Sequence, residues 1–104
     1  MHSIEITAQA QANADAAYAW MMKNISPAYA EQWYRELFRQ IETLTQNPSR
    51  CAYAPESDKF TEEIRELIYG KRRSRNKYRI IFTIRKNTVV ILYIHHSARD
   101  EISP

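Results

Sequence analysis

This chain has almost no glycine. Gly70 is the only one in 104 residues. A phosphate-cradling loop or a dinucleotide fingerprint needs several glycines in a short run, so both are excluded. Cysteine is equally scarce. Cys51 stands alone, which rules out an internal disulfide and suits a reducing cytoplasm. It has no His or acid at nucleophile spacing and reads as a bystander thiol. No apolar run approaches the roughly 20 residues needed to span a bilayer. Nothing after Met1 resembles a charged-then-apolar secretory start, so no signal peptide and no membrane partner are expected. Acids are nearly missing from one half: residues 64–99 hold Glu66 alone against ten Lys/Arg.

What is present suits one folded domain spanning 1–104. The chain is 44% hydrophobic and 26% charged, with twelve aromatics to build a core. The net charge of +3 conceals an asymmetry, because residues 1–63 carry five Lys/Arg and nine Asp/Glu. A basic C-terminal half attracts polyanions, either nucleic acid or an acidic partner chain. The densest part is Lys71, Arg72, Arg73, Arg75 and Lys77. No aromatic interrupts it, so it reads as a basic contact surface for phosphate or acidic protein, without base readout.

Periodicity orders the elements. Ser3 to Thr7 alternate, with Ile4 and Ile6 inward as a short strand. The run 8–12 is neutral between strand and helix. Asn13 or Asp15 is placed to cap a helix whose apolar face is Ala14, Tyr18, Met21 and Ile25. Trp20 lies off that stripe. Ser26 fits the N-cap and Pro27 the first position of a second helix, which Asn47-Pro48 stops. Its stripe is Ala30, Trp33, Tyr34, Leu37, Ile41 and Leu44, and its aromatics read as core. Two helices joined by so short a break form an antiparallel hairpin. Residues 47–62 read as a connecting surface loop. Period two returns from Glu63, ends at Gly70, and resumes over Tyr78 to Arg85 and Val89 to His95. The last run is apolar on both faces, as a central strand should be. Lys86-Asn87-Thr88 makes a tight turn. The expected class is α+β, in the order β-α-α-β-β-β. The N-terminal helical hairpin packs on a mainly antiparallel, twisted sheet.

In this order, Ser26-Pro27, Asn47-Pro48, Ile64-Arg65-Glu66-Leu67 running to Gly70, Tyr78-Arg79-Ile80-Ile81-Phe82, and Val90 to Ile94 leading into His96-Ser97-Ala98-Arg99-Asp100 resemble the RelE/ParE superfamily of type II toxin–antitoxin toxins. The likeness covers nearly the whole chain. The Ser-Pro-opened hairpin and the His-x-x-Arg-Asp ending are closer to ParE. That resemblance implies a cytoplasmic, plasmid-stabilising toxin that inhibits DNA gyrase and is neutralised by a cognate antitoxin, with no cofactor. The RelE-like alternative implies an mRNA endonuclease working on the ribosome. A third reading is a degenerate member that binds antitoxin without toxicity.

RNA cleavage without metal needs a base, an acid and cations around the phosphate. On the RelE pattern the candidates are Arg65, Arg79, His96 and Arg99. Leu67 stands where that pattern carries a lysine, and the tyrosine expected beyond Arg99 would fall past Pro104. Whether the chain is an enzyme therefore depends on which branch it follows. The plainer role for Arg79 is an ion pair with Glu66 or Glu63. A zinc site is not expected, since His95 and His96 point to opposite faces and no Cys or acid accompanies them. Off-stripe Trp20, with Tyr29, is the expected antitoxin contact.

Overall fold

The computed structural model describes residues 1–70 and 77–96. Lys71, Arg72, Arg73, Arg75 and Arg99 therefore lie outside the described residues. The elements are β1 (Ser3–Ile6), α1 (Ala8–Asn24), α2 (Pro27–Glu42), β2 (Arg65–Tyr69), β3 (Tyr78–Arg85) and β4 (Thr88–His96). Two helices thus follow one strand and precede three, which is the expected α+β order.

Helix α1 begins five residues before Asn13, and neither Asn13 nor Asp15 caps it. Thr7 does, its Oγ1 accepting the Ala10 N–H at 3.1 Å while donating to the Ile91 carbonyl at 2.8 Å. One hydroxyl thereby ends β1 and starts the helix, a double use that no local pattern reveals. Asn13 Oδ1 instead accepts the backbone N–H of Ile94. Asp15 accepts from Gln11 and from the Tyr34 hydroxyl. Ala14 and Met21 are buried, but Ile25 lies past the helix end and is exposed. Helix α2 starts as expected, with Ser26 Oγ accepting the Tyr29 N–H and Pro27 at the first position. Ala30, Trp33, Leu37 and Ile41 form its buried stripe, extended by Leu44 in a 3-10 turn.

The strand order is β1-β4-β3-β2, with β4 beside β1 in parallel and the other two pairs antiparallel. The strand that is apolar on both faces does lie inside the sheet. Lys86 takes φ 56° at the hairpin turn, and Gly70 takes φ 146° where β2 ends. That second angle is one only glycine adopts without strain.

A bulge controls the facing of β4. Ile81 is opposite Tyr93 but Phe82 is opposite Ile91, so Leu92 is an extra residue on β4. Before it, odd residues Val89 and Ile91 face the helices; after it, even residue Ile94 does. Tyr78, Ile80 and Phe82 of β3 join them in the main core. Directly opposed strand residues share a face. By register, Arg65, Leu67, Tyr69, Tyr78 and His96 lie on the helix side, and Glu66, Ile68, Arg79 and His95 on the far side.

The far face is not bare, which corrects the reading of 47–62 as a surface loop. The segment after Pro48 crosses the sheet and is stitched to β2 by Ala54 N–H to Ile64 O at 2.9 Å and Glu66 N–H to Ala52 O at 3.1 Å. Ala54, Ile64 and Ile81 form a second small core, with Phe60, Leu92 and Tyr93 packed on it. Short 3-10 turns at Pro48–Arg50 and Pro55–Lys59 let the segment bend while keeping its backbone bonded.

Candidate functional site

Arg79 sits where that crossing segment meets the sheet. Its Nη1 and Nη2 donate to Glu56 Oε2 and Oε1 at 2.8 and 2.5 Å, and its Nε donates to Glu66 Oε1 at 2.8 Å. Glu56 is 2% exposed and the Arg79 side chain 12%. A forked guanidinium is the one cation that can span two carboxylates this way. The hydrogen bonds to Glu56, then those to Glu66, push the Arg79 pKa further up against the opposing effect of burial. The charge is therefore permanent but locally neutralised. The expected pairing with Glu66 is present; the stronger partner, Glu56, lies in a Pro/Ser/Asp-rich stretch that looks solvent-facing in sequence.

Arg65 is held on the other face. Its Nη1 donates to the carbonyls of Ser49 and Cys51 at 3.0 and 2.6 Å. Its guanidinium lies 4.2 Å from the centre of the Tyr53 ring, a cation–π contact. The Cys51 thiol beside it is buried, and burial pushes its pKa up, away from the reactive thiolate.

His96 stacks edge-on against Tyr78, ring centres 5.0 Å apart at 84°. Its row of the sheet is Tyr69, Tyr78, His96, whereas Arg65 shares a row with Phe82 and Ile91. Four residues of strand separate those rows, about 13 Å. The sheet itself stands between either residue and Arg79. The fold thus sends Arg65, Arg79 and His96 to three separate places, and Arg99 lies outside the described residues. Lys77, the one described member of the basic run, is half-buried beside Tyr78.

Trp20 is 56% exposed, near the end of α1. It borders a cleft of about 420 Å³ between α1 and the end of β4, lined also by Asn13, Ala16, Ala17, Tyr78, Ile94, His95 and His96. Tyr29 lies half-buried in the first turn of α2, packed against the main core. A second, shallower hollow between the helices is lined by Asp15, Tyr18, Glu31, Tyr34 and Arg35. Tyr18 and Phe38 both pack on the Tyr34 ring there, with centres 5.1 and 4.8 Å away. Burial, then the hydrogen bond to Asp15, raises the Tyr34 pKa. Among the described residues no group of His, Cys, Asp and Glu is placed to hold a metal ion. No helix among them is long and apolar enough to cross a membrane.

Sequence reasoning missed three features: Glu56, the Leu92 bulge, and the cleft. An acid two residues past the short apolar run Cys51 to Ala54 is the only trace Glu56 leaves. The bulge and the cleft leave none, because both depend on how distant elements meet.

Comparison with known proteins agrees with this architecture. Among solved structures, one from the chromosomal ParDE toxin–antitoxin system of P. aeruginosa is similar, with a TM-score of 0.72 at 24% identity. The match covers 92% of this chain and 96% of that one. No curated protein gives a significant sequence match. The family model for the ParE toxin of type II toxin–antitoxin systems, parDE, matches residues 4–101. That match takes in both helices and all four strands, and the chain belongs to the ParE toxin family of the RelE/ParE superfamily.

Proposed function

We propose that this toxin acts by inhibiting DNA gyrase in the cytoplasm, is neutralised by a cognate antitoxin, and stabilises the replicon that carries the pair. Family membership over residues 4–101 favours this target. The observation that carries it over message cleavage is the state of the arginines. Arg79 donates to Glu56 and Glu66 on one face of the sheet, and Arg65 to two carbonyls on the other. A phosphate-stabilising cation must face the reacting group without a competing carboxylate. On this reading the chain is a binding module, not an enzyme. The DNA breaks come from gyrase's own chemistry, and the toxin contributes shape and the positive charge of Lys71, Arg72, Arg73, Arg75 and Lys77.

The test is a supercoiling reaction with purified gyrase and plasmid. Added toxin should raise the amount of gyrase-linked cleaved DNA. Intact supercoiling with no rise in cleavage refutes the proposal. Cutting of the A-site codon on programmed ribosomes, abolished by His96→Ala or Arg99→Ala, would establish the RNA reading instead. Harmless overexpression in a sensitive host would favour a degenerate member. The antitoxin should bind at nanomolar affinity or tighter, about −12 kcal/mol. Trp20→Ala and Tyr29→Ala should each weaken it, and micromolar binding by the wild-type chain would contradict the partner reading.

A further inference from the structure

The arginines held by hydrogen bonds fall into two classes. Arg39, Arg79 and Arg85 are each paired with a carboxylate. Arg50 and Arg65 are fixed by oxygens that carry no charge, and neither forms an ion pair among the described residues. Arg50 Nη1 donates to the carbonyls of Gln46 and Asn47 at 2.7 and 3.2 Å, and its Nη2 to Thr43 Oγ1 at 3.2 Å. Arg65 uses Nη1 alone, bonding the Ser49 and Cys51 carbonyls on either side of Arg50. A carbonyl orients a guanidinium without cancelling its charge. Burial raises the Cys51 pKa and the charges of Arg50 and Arg65 both oppose it, so both cations stand close to one point. Tyr53 ends this strip. Its ring is 49% exposed and forms no ring pair among the described residues. The Arg65 guanidinium covers one of its faces, 4.2 Å from the ring centre.

We propose that Tyr53, Arg50 and Arg65 bind single-stranded nucleic acid. An unpaired base stacks on the open face of Tyr53, and the phosphates beside it bond the two guanidiniums. The cation behind the ring holds it in place and strengthens the stack. The combination selects the ligand class. An acidic peptide would use the cations and leave the ring unused, and a duplex hides the faces of its bases. An unpaired strand offers phosphate and an open base face together. Such stacking is tolerant of sequence, because every base has a π-face. The inference goes beyond the gyrase reading, which gives these three residues no role, and it is measured without gyrase.

The probe is a fluorescein-labelled ten-residue oligothymidylate, and its binding to the full chain is followed by anisotropy. An oligouridylate of equal length forms the second arm. Binding of either supports the inference, and the tighter one names DNA or RNA as the source. Tyr53→Ala, at an exposed position, should weaken binding at least about fivefold, and Tyr53→Phe, which keeps the ring, should restore it. An oligomer of equal charge with abasic sites in place of its bases should bind the wild type and Tyr53→Ala alike. Arg50→Gln should lower the salt slope by about 0.7, the share of one phosphate contact. Thermal melts check that each variant is folded. The inference is overturned if the wild-type chain binds neither oligomer, or if folded Tyr53→Ala binds as tightly as wild type. It is equally overturned if the abasic oligomer, a blunt duplex or a ten-residue polyglutamate binds the wild type as tightly as oligothymidylate does; the last result would assign the strip to an acidic protein. A chain that fails here yet raises gyrase-linked cleavage keeps the gyrase reading, and one that binds the oligomers but leaves gyrase unaffected keeps this inference alone.

Discussion

Replacing Arg79 by alanine should cost the toxin much of its stability, and the reason is the carboxylate left behind. Glu56 is 2% exposed and receives two of the three Arg79 hydrogen bonds. With the guanidinium gone, Glu56 has lost its forked donor inside a wall of protein. Breaking a buried pair by removing one partner costs about 3–5 kcal/mol. A domain of this size holds about 5–15 kcal/mol in all. At roughly 4 °C or more per kcal/mol, the melting temperature should fall by at least about 12 °C. Urea unfolding followed by tryptophan fluorescence gives the free energy directly. The informative control is Arg79→Met combined with Glu56→Leu, which removes both charges and keeps the volume. It should recover most of the loss, because apolar replacements of buried pairs are often neutral. Arg79→Lys should fall between, since an ammonium cannot span two carboxylates. A loss below about 1 kcal/mol for Arg79→Ala, or a double variant no better than the single, would refute the claim that this pair fastens the crossing segment to the sheet. The prediction also governs toxicity assays. An Arg79→Ala variant that has lost activity through unfolding says nothing about catalysis, whereas the folded double variant does.

Three further outcomes follow from local geometry. Burial, then the charge of Glu36, pushes the Tyr69 pKa up to about 12, and its hydroxyl donates to the Trp33 carbonyl. The unfolded chain ionises this phenol near pH 10 while the folded one keeps its proton. Stability is therefore lost between pH 10 and 12, on the order of 2 kcal/mol. Tyr69→Phe should be about 1 kcal/mol less stable at pH 8, and its deficit should shrink and reverse by pH 12; a constant gap in urea titrations at both pH values would sink the assignment. Gly70→Ala should cost about 1 kcal/mol or more in the same assay because of its φ of 146°, and a neutral or stabilising result would mean the backbone there relaxes freely. Thr7→Ala should cost more than the roughly 1 kcal/mol typical of a helix cap such as Ser26→Ala, since Thr7 also bonds β4; equal losses in thermal melts would show that the second bond contributes nothing.

Elements whose cause is local could be read from the sequence. Ser26-Pro27 fixes the start of α2 through one hydroxyl and one ring, and both act within three residues. The doubly apolar run Val89 to Ile94 could lie only inside a sheet. Elements whose cause is distant were misread. Helix α1 starts at Ala8 because Thr7 must bond a strand more than eighty residues away. The Ala/Gln run that follows carries helix propensity but no amphipathic signal to announce it. The crossing segment looked like a surface loop because its apolar residues, Ala54 and Phe60, are too sparse to show a period. They are buried because Ile64 and Ile81 present a second apolar face to cover.

The site was less legible than the fold, for a reason of parity. A strand tells the sequence reader which residues share a face only while its period of two is unbroken. Leu92 breaks it. Counting back from His96 by twos gives Ile94, Leu92 and Val90; in the structure the helix-side residues are His96, Ile94, Ile91 and Val89. Without the bulge, His95 would be opposite Tyr78 on the helix-side face, and His96 would pass to the far face, opposite Lys77. With it, His96 is set against Tyr78 at the cleft, while Arg79 is opposite His95 and turned to Glu56. One inserted residue thus sets His95, rather than His96, on the face that carries Arg79. It also makes His96 the imidazole beside Tyr78 in the cleft that exposed Trp20 borders.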